Sequence, residues 1–271
     1  PLGSLSSQPP EIMPLPYFEV HAGKGPPLLM VHGILSSRAQ WQHNLDALKE
    51  VCTPVIVELF GHGRSPSPDL PEDYTPAAYV AAFEEIRTHL QVNRWFMLGY
   101  SLGAGLTLRY CLEHPERVIA SAFTNSTSAF AEEADTQQFQ ANGEAIIARY
   151  EREGMSAIEE IPVHPRFARR LPDDIKKALM DDCRLLNPLG VARTIVYTNG
   201  NASVRNLIHK NQVPTLLLCG EMEKRFEPHK KHVVQTMPNI EVIDLPAGHA
   251  ANAEAPAQFN KALTDFLRRH H

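Results

Sequence analysis

Short runs of apolar residues recur along the chain at spacings that predict the strands of a buried sheet. The runs lie at 17–21, 27–31, 54–59, 95–98, 118–123, 213–219 and 240–245. Most are continuously apolar, which is typical of strands covered on both faces, whereas a half-exposed strand alternates. Segments with apolar residues at helical spacing lie between them, at 39–49, 76–90, 104–114, 228–236 and 254–269. This alternation predicts an α/β fold with a mostly parallel sheet flanked by helices.

One long segment interrupts the alternation. Residues 130–208 show no pattern of a buried strand. Prolines separate short stretches with helical spacing, at 132–150, 156–160, 165–170, 173–184 and 201–210. We therefore predict an α/β core formed by 17–128 and 209–271, with a helical cap at 129–208 inserted between its two parts. Residues 1–16 are expected to be a tag remnant followed by a disordered N-terminal segment.

The sequence GYSLG at 99–103 follows one predicted strand and opens a predicted helix. A serine on a sharp turn between a strand and a helix needs small neighbours, since a side chain at either glycine would collide with the adjoining elements. Such a turn raises the Ser101 hydroxyl above the sheet. It also leaves the Leu102 N–H at a helix N-terminus, where it can stabilise developing negative charge. Ser101 is therefore the candidate nucleophile.

Other polar motifs follow the remaining predicted strands, and the carboxyl ends of parallel strands meet at one sheet edge, where ligands bind. The motifs are HGILSS at 32–37, GHGRS at 61–65, CGEMEKRFEP at 219–228 and PAGHAAN at 246–252. The Ile34 N–H is a candidate second donor to an oxyanion. We expect His32, His62 and Arg64 to have structural roles, because a tight turn held by hydrogen bonds explains them more simply than catalysis does.

Composition narrows the choice of partners and location. The 271 residues carry a net charge of −5 with no basic stripe, which argues against nucleic acid or an anionic membrane as a partner. Apolar runs stop well short of the 18 residues that a membrane span needs. The four cysteines are scattered and form no CxxC pair, which fits a reducing, cytoplasmic location.

The chain holds 13 histidines, a number that raises the question of a metal site. His229 and His232 lie one helical turn apart, but the lysines between them indicate a solvated face and no third ligand is evident. We therefore expect no metal and no cofactor.

Together these motifs, each at a strand end and in this order, resemble the α/β-hydrolase fold superfamily along residues 17–269. The chain is most similar to small cap-bearing bacterial members, such as 3-oxoadipate enol-lactonases, carboxylesterases and menaquinone-pathway lyases. The resemblance implies a mostly parallel sheet of the eight-stranded type with an inserted helical cap. It also implies that Ser101 is the nucleophile, that His249 is its base, and that the Ile34 and Leu102 amides form the oxyanion hole.

The acid is where this sequence departs from the family. The family usually has Asp three residues after the glycine that ends the strand, and this chain has Glu223 there. Glutamate can still hold the histidine tautomer and stabilise the imidazolium. Glu221 and Glu227 are alternatives in the same loop. Asn125, at the other position where the family carries an acid, is not ionisable.

These residues favour a serine hydrolase that cleaves a small to medium, largely apolar ester, lactone or thioester through an acyl-enzyme. A C–C bond hydrolase or a lyase on the same triad stays an alternative, as does a non-catalytic ligand-binding protein on this fold. The expected partner is a small-molecule acyl substrate.

Overall fold

A seven-stranded sheet forms the centre of the computed structural model, which describes residues 12–271. The strands are β1 (Phe18–Val20), β2 (Pro27–Val31), β3 (Thr53–Val57), β4 (Trp95–Gly99), β5 (Val118–Thr124), β6 (Thr215–Gly220) and β7 (Ile240–Leu245). They are arranged in the order β1-β3-β2-β4-β5-β6-β7. β1 is antiparallel to β3, and every other pair is parallel. The predicted mostly parallel sheet is confirmed.

The number of strands differs from the eight that the resemblance implied. Seven strands lie within the described part of the chain, one for each apolar run in the sequence. The count of eight came from the family pattern, and this chain supplies no eighth run. The expected tag remnant and most of the expected disordered segment fall on residues 1–11, which lie outside the described residues, while 12–16 have no regular secondary structure.

Helices cover both faces of the sheet. Those outside the segment between β5 and β6 are α1 (Leu45–Leu48), α2 (Pro76–His89), α3 (Leu102–Glu113), and, after β6, Glu227–Thr236, Ala251–Glu254 and Pro256–Arg269. Alternate side chains of each central strand enter different apolar clusters, so that Leu28 and Met30 pack on one face and Leu29 and Val31 on the other. The core predicted from the continuous apolar runs therefore follows from burial of both faces.

The segment between β5 and β6, residues 125–214, is here called the helical insertion. Its helices are α4 (Glu133–Ala141), α5 (Gly143–Glu153), α6 (Met155–Glu159), α7 (Asp173–Asp182) and α8 (Pro188–Arg193), and a π-helical turn at Thr194–Thr198 continues α8. In keeping with the numbering, the three helices after β6 are α9, α10 and α11. The insertion has an apolar cluster of its own, which includes Tyr150, Ile158 and Val191. Its action as a cap stays a prediction.

Four details of the insertion differ from the sequence-based expectation. In place of the helix predicted at 165–170 there is only a 3-10 turn, Pro165–Phe167. The helix predicted at 132–150 is broken at Asn142, and Gly143 then packs so closely on Val196 that a Cβ there would lie 2.9 Å from Cγ1. The helix predicted at 201–210 is wrong: only a 3-10 turn, Ile208–Lys210, is present. α8 was not predicted; it begins at Pro188, where the Asn187 side chain accepts a hydrogen bond from the Gly190 N–H.

Candidate active site

Ser101 lies on a sharp turn between β4 and α3. Its backbone has φ 53° and ψ −120°, a conformation that residues with a side chain rarely adopt. Neither flanking glycine leaves room for a side chain. A Cβ at Gly99 would lie 2.5 Å from Cα of Ala104, and a Cβ at Gly103 would lie 2.1 Å from the Val31 carbonyl oxygen. The turn predicted from the motif is present, and the hydroxyl stands at the carboxyl edge of the sheet.

His249 lies in the loop that follows β7. Its Nε2 is 2.9 Å from Oγ of Ser101. The loop is held by Glu254, whose carboxylate accepts hydrogen bonds from the Gly248 N–H at 2.9 Å and the Ala250 N–H at 3.0 Å. These two bonds flank the histidine and fix the direction of its ring. A ring with its proton on Nδ1 can therefore accept the serine proton at Nε2.

Glu223 follows β6 and faces the other ring nitrogen of His249. Its Oε2 is 2.7 Å from Nδ1, although the N–H is not aimed straight at this oxygen, so the contact is bent. Burial raises the pKa of the Glu223 carboxyl, but contacts with His249 and Asn125 and the charge of Arg225 together outweigh burial, and the net pKa lies below its usual value. Glu221 is exposed, and within the described chain the carboxylate that faces His249 is that of Glu223.

Asn125 supports the loop that carries Glu223, a role that the sequence analysis missed. Its amide bridges the ends of two neighbouring strands: Nδ2 donates to the Gly220 carbonyl oxygen at 2.9 Å, and Oδ1 accepts from the Gly220 N–H at 3.0 Å. Nδ2 also lies 3.3 Å from Oε1 of Glu223. Because the residue directly follows β5 and is fully buried, a polar side chain there was the available signal.

The loop after β2 brings the Ile34 amide beside Ser101. A Cβ at Gly33 would lie 2.9 Å from Cβ of Ser101, so the backbone of this loop passes directly over the serine. Within residues 12–271, the Ile34 and Leu102 N–H groups have no hydrogen-bond acceptor. Two free backbone donors next to a nucleophile are what an oxyanion hole requires.

Two buried histidines hold this loop in place. The Leu35 N–H donates to Nε2 of His62 at 3.0 Å, and the Leu59 N–H donates to Nε2 of His32 at 3.1 Å. Both rings are fully buried, and burial lowers the pKa of His32 to about 4 and that of His62 to about 3. The rings are therefore neutral acceptors at neutral pH, in agreement with the structural role expected for them.

Arg64 joins the core to the helical insertion. Its guanidinium lies 3.2 Å from Oε1 of Glu58, which is buried, and 2.7 Å from Oδ1 of Asp182 on α7. Ser37, in the loop next to Ile34, donates to Asp182 at 2.5 Å. The same network therefore fixes the loop after β2 and α7 of the insertion.

A cavity of about 590 Å³ opens above Ser101 between the sheet edge and the insertion. Apolar side chains form much of its wall, among them Leu35, Val163, Phe167, Leu171 and Leu179. Three exposed arginines also line it, namely Arg169, Arg170 and Arg225. Within the described residues none of the three lies at ion-pair distance from a carboxylate, and Arg170 donates only to the Met222 sulfur at 3.7 Å, a weak acceptor.

Neither a metal site nor a membrane span is found in the described chain. Residues 12–271 contain no cluster of three or more His, Cys, Asp or Glu side chains suited to hold a metal ion. His229 packs near the Phe130 and Phe226 rings. Across the same residues, every helix is too short or too polar to span a membrane.

Comparisons with known proteins agree with this architecture. The sequence profile described as the alpha/beta hydrolase fold matches residues 26–256. A Bacillus subtilis (strain 168) protein named as a 2-succinyl-6-hydroxy-2,4-cyclohexadiene-1-carboxylate synthase is 25% identical over 247 residues, which cover 89% of each chain. The carboxylesterase nap of the same organism is 24% identical over 253 residues, which cover 89% of this chain and 79% of the relative.

Among solved structures, MenH from S. aureus superposes with a TM-score of 0.80 at 17% identity, covering 93% of this chain and 98% of that one. At this identity the likeness concerns the fold, which the two chains share along nearly their whole length. The profile match spans most of the chain, including the elements that carry Ser101, Glu223 and His249. The chain belongs to the α/β-hydrolase fold family.

Proposed function

We propose that this protein is a serine hydrolase that cleaves a carboxylic ester, lactone or thioester through a Ser101-His249-Glu223 triad. The observation that supports the proposal most is a continuous chain of contacts from hydroxyl to carboxylate. Oγ of Ser101 lies 2.9 Å from Nε2 of His249, and Nδ1 of the same ring lies 2.7 Å from Oε2 of Glu223. These distances are those of a nucleophile, a base and an orienting acid.

The proposed reaction proceeds in two halves. His249 takes the Ser101 proton as Oγ attacks the carbonyl carbon, and the Ile34 and Leu102 N–H groups stabilise the oxyanion. Collapse of the tetrahedral intermediate breaks the bond to the leaving group, which takes the proton from His249. Water, activated by the same imidazole, then attacks the acyl-enzyme and releases the acid. Glu223 stays ionised and stabilises the imidazolium that forms in each half.

The wall of the main cavity favours a largely apolar acyl substrate of modest size. Its volume of about 590 Å³ lies within the range of small-molecule sites, about 300–1,000 Å³. The carboxylesterase relative, which aligns along most of both chains, supports the same substrate class. A serine at the elbow, rather than a carboxylate, argues against dehalogenase or epoxide-hydrolase chemistry.

Substitution of the nucleophile tests the proposal. Ser101→Ala should lower the turnover of p-nitrophenyl butyrate by about 10⁶-fold, to the background of the assay, because the attacking oxygen is lost. Ser128→Ala is the matched control, since Ser128 lines the same cavity and lies outside the contact chain. We expect this control to retain activity within about threefold of the unsubstituted protein. Ester hydrolysis that survives Ser101→Ala at full rate would refute the proposal.

A lyase on the same triad is the second candidate, because two observations favour it. The B. subtilis relative named as a carboxylate synthase aligns along 89% of both chains. Three arginines without carboxylate partners in the described chain line the cavity and suit an anionic substrate. In this reaction His249 and Ser101 would remove a proton from carbon rather than attack a carbonyl. A panel of neutral esters and of carboxylate-bearing substrates with an acidic C–H next to a β leaving group separates the candidates. Turnover of the esters supports the hydrolase, and elimination from the carboxylate-bearing substrates supports the lyase.

A further inference from the structure

A second cavity, of about 410 Å³, lies inside the helical insertion. α5 and α6 form its sides, and Ile195 of the π-helical turn forms part of its wall. The side chains that line it are mainly apolar and include Phe139, Ile146, Tyr150, Ala157, Ile161 and Ile195. A space of this size and lining suits a hydrocarbon chain or ring better than a polar group.

This second cavity adjoins the cavity above Ser101. Four residues line both, namely Ile34, Pro162, Val163 and Asn199. Ile34 is also the residue whose N–H faces the candidate oxyanion position, so the partition between the cavities starts next to the reacting carbonyl. An apolar chain attached to this carbonyl therefore has a short path past Ile34 into the insertion.

Charged groups are confined to the outer end of the second cavity. Arg149 on α5 pairs with Glu153 at 2.7 Å and also contacts Glu160, just after α6. Arg149 and Glu160 both line the cavity, with side-chain exposures of 42% and 64%. Water screens their charges at this end, which leaves the inner wall free of charged groups within the described residues.

We infer that the second cavity is a subsite for one apolar arm of the substrate, an alkyl or aryl chain on either the acyl or the alcohol side of the ester. The inference rests on the proposed function, because it assumes that the reacting carbonyl lies between Ser101 and Ile34. Its physical basis is hydrophobic transfer: each methylene that enters the cavity is removed from water and stabilises the transition state.

Two substrate series identify the arm. The first varies the acyl chain of p-nitrophenyl esters from acetate to decanoate, and the second varies the alcohol of alkyl acetates from methyl to octyl. In one series kcat/KM should rise about fourfold per added methylene until the cavity is full, as expected for complete burial of each group. The series that rises assigns the cavity to that side of the ester. Flat or falling profiles in both series would overturn the inference.

Substitutions that fill the second cavity provide an independent test. Ile146→Trp should lower kcat/KM at least tenfold for the longest good substrate and leave the shortest ester within about twofold. Ile147→Trp is the matched control: both isoleucines are partly buried on α5 against the same apolar cluster, and Ile147 is not part of the cavity wall. We expect Ile147→Trp to leave the chain-length profile unchanged.

Thermal melting verifies that each variant is folded, and Ala157→Leu, a smaller filling substitution in the wall, replaces Ile146→Trp where the latter does not fold. An equal loss of activity on short and long esters would contradict the inference, as would an unchanged profile. The same assays distinguish failure of the proposed function: if it is wrong, the unsubstituted protein does not turn over even the shortest ester. A chain-length profile that does not respond to filling, with short-ester turnover intact, refutes the subsite alone.

Discussion

The carboxyl edge of the sheet and the helical insertion are built in different ways. At the sheet edge, polar side chains follow consecutive strands, and close contacts join them from Ser101 through His249 to Glu223 and Asn125. Beyond Asn125, its first residue, the insertion contributes no member of that chain of contacts. It contributes instead the apolar walls of two cavities and two arginines at the main cavity. From this comparison we expect the sheet edge to determine the chemistry and the insertion to determine which molecules are accepted.

The largest predicted effect falls on the sheet edge. Glu223→Gln should lower kcat about 10⁴-fold, because an amide in place of the carboxylate no longer stabilises the imidazolium or selects its tautomer. KM should change little, since Glu223 orients His249 and the substrate is held by the cavity. Steady-state kinetics with a p-nitrophenyl ester measures both parameters.

Glu221→Gln is the matched control for this prediction, because the two carboxylates lie two residues apart in one loop and Glu221 is exposed. We expect its kcat to stay within about twofold. If Glu221→Gln has the larger effect, the acid has been assigned to the wrong residue.

Addition of Asn125→Asp to Glu223→Gln should restore at least tenfold of the lost kcat, since Asn125 is adjacent to the Glu223 carboxylate.

The second largest predicted effect concerns the ion pairs that join the core to the insertion, and it is a loss of folding stability. Arg64→Met removes the partner of the buried Glu58 and separates Asp182 on α7 from the core. We expect unfolding to require about 3 kcal/mol less free energy, because a buried carboxylate loses its counter-charge. Denaturant unfolding measures the change. Lys177→Met removes an exposed ion pair with Asp181 on the same helix and should leave the unfolding midpoint unchanged.

The smallest predicted effect, counted per pH unit, is the loss of folding stability in acid. We expect it to arise from the two histidines buried in the core. Burial lowers the pKa of His32 to about 4 and that of His62 to about 3, so the unfolded chain binds these protons first as pH falls below about 6.5. Stability is fully present above that pH and decreases below it, by up to about 1.4 kcal/mol per pH unit for each histidine.

His62→Gln is expected to reduce the slope of this loss between pH 6 and pH 4, because the amide can accept the Leu35 N–H without titrating. The melting temperature as a function of pH measures the slope. The matched variant is His164→Asn in the insertion, since burial also lowers the pKa of His164, though less strongly. An equal change of slope in both variants would contradict the assignment of acid lability to the core.

The two regions also differ in how much of them the sequence predicts. The apolar run at 27–31 predicts β2 with its observed bounds, because a strand buried on both faces needs an unbroken apolar stretch. β7, a partly exposed edge strand, also has its predicted bounds, although Glu241 and Asp244 interrupt its apolar residues. The GYSLG motif predicts the strained turn at Ser101, since only glycines fit at its flanks. At this edge local sequence and local structure are tightly coupled.

In the insertion, distant packing decides more than local propensity. The break falls on the Asn142-Gly143 pair, which is a local turn signal, but Gly143 also packs against Val196, more than fifty residues away, which the sequence does not reveal. The partition of the pocket at Ile34, Pro162, Val163 and Asn199 joins three separate segments. Asn125 bridges to Gly220 because β5 and β6 lie side by side in the sheet, a pairing between residues nearly a hundred positions apart that the local sequence does not reveal.

Covalent labelling of the serine tests the central claim most directly. A p-nitrophenyl alkylphosphonate transfers its phosphonyl group to an activated serine and releases p-nitrophenol. Peptide mass spectrometry of the treated protein should locate one adduct on Ser101, formed with loss of esterase activity, and the adduct should form at least a thousandfold more slowly in the Glu223→Gln variant. An adduct at another residue that abolishes activity, or an unmodified Ser101 in fully inhibited protein, would contradict the account.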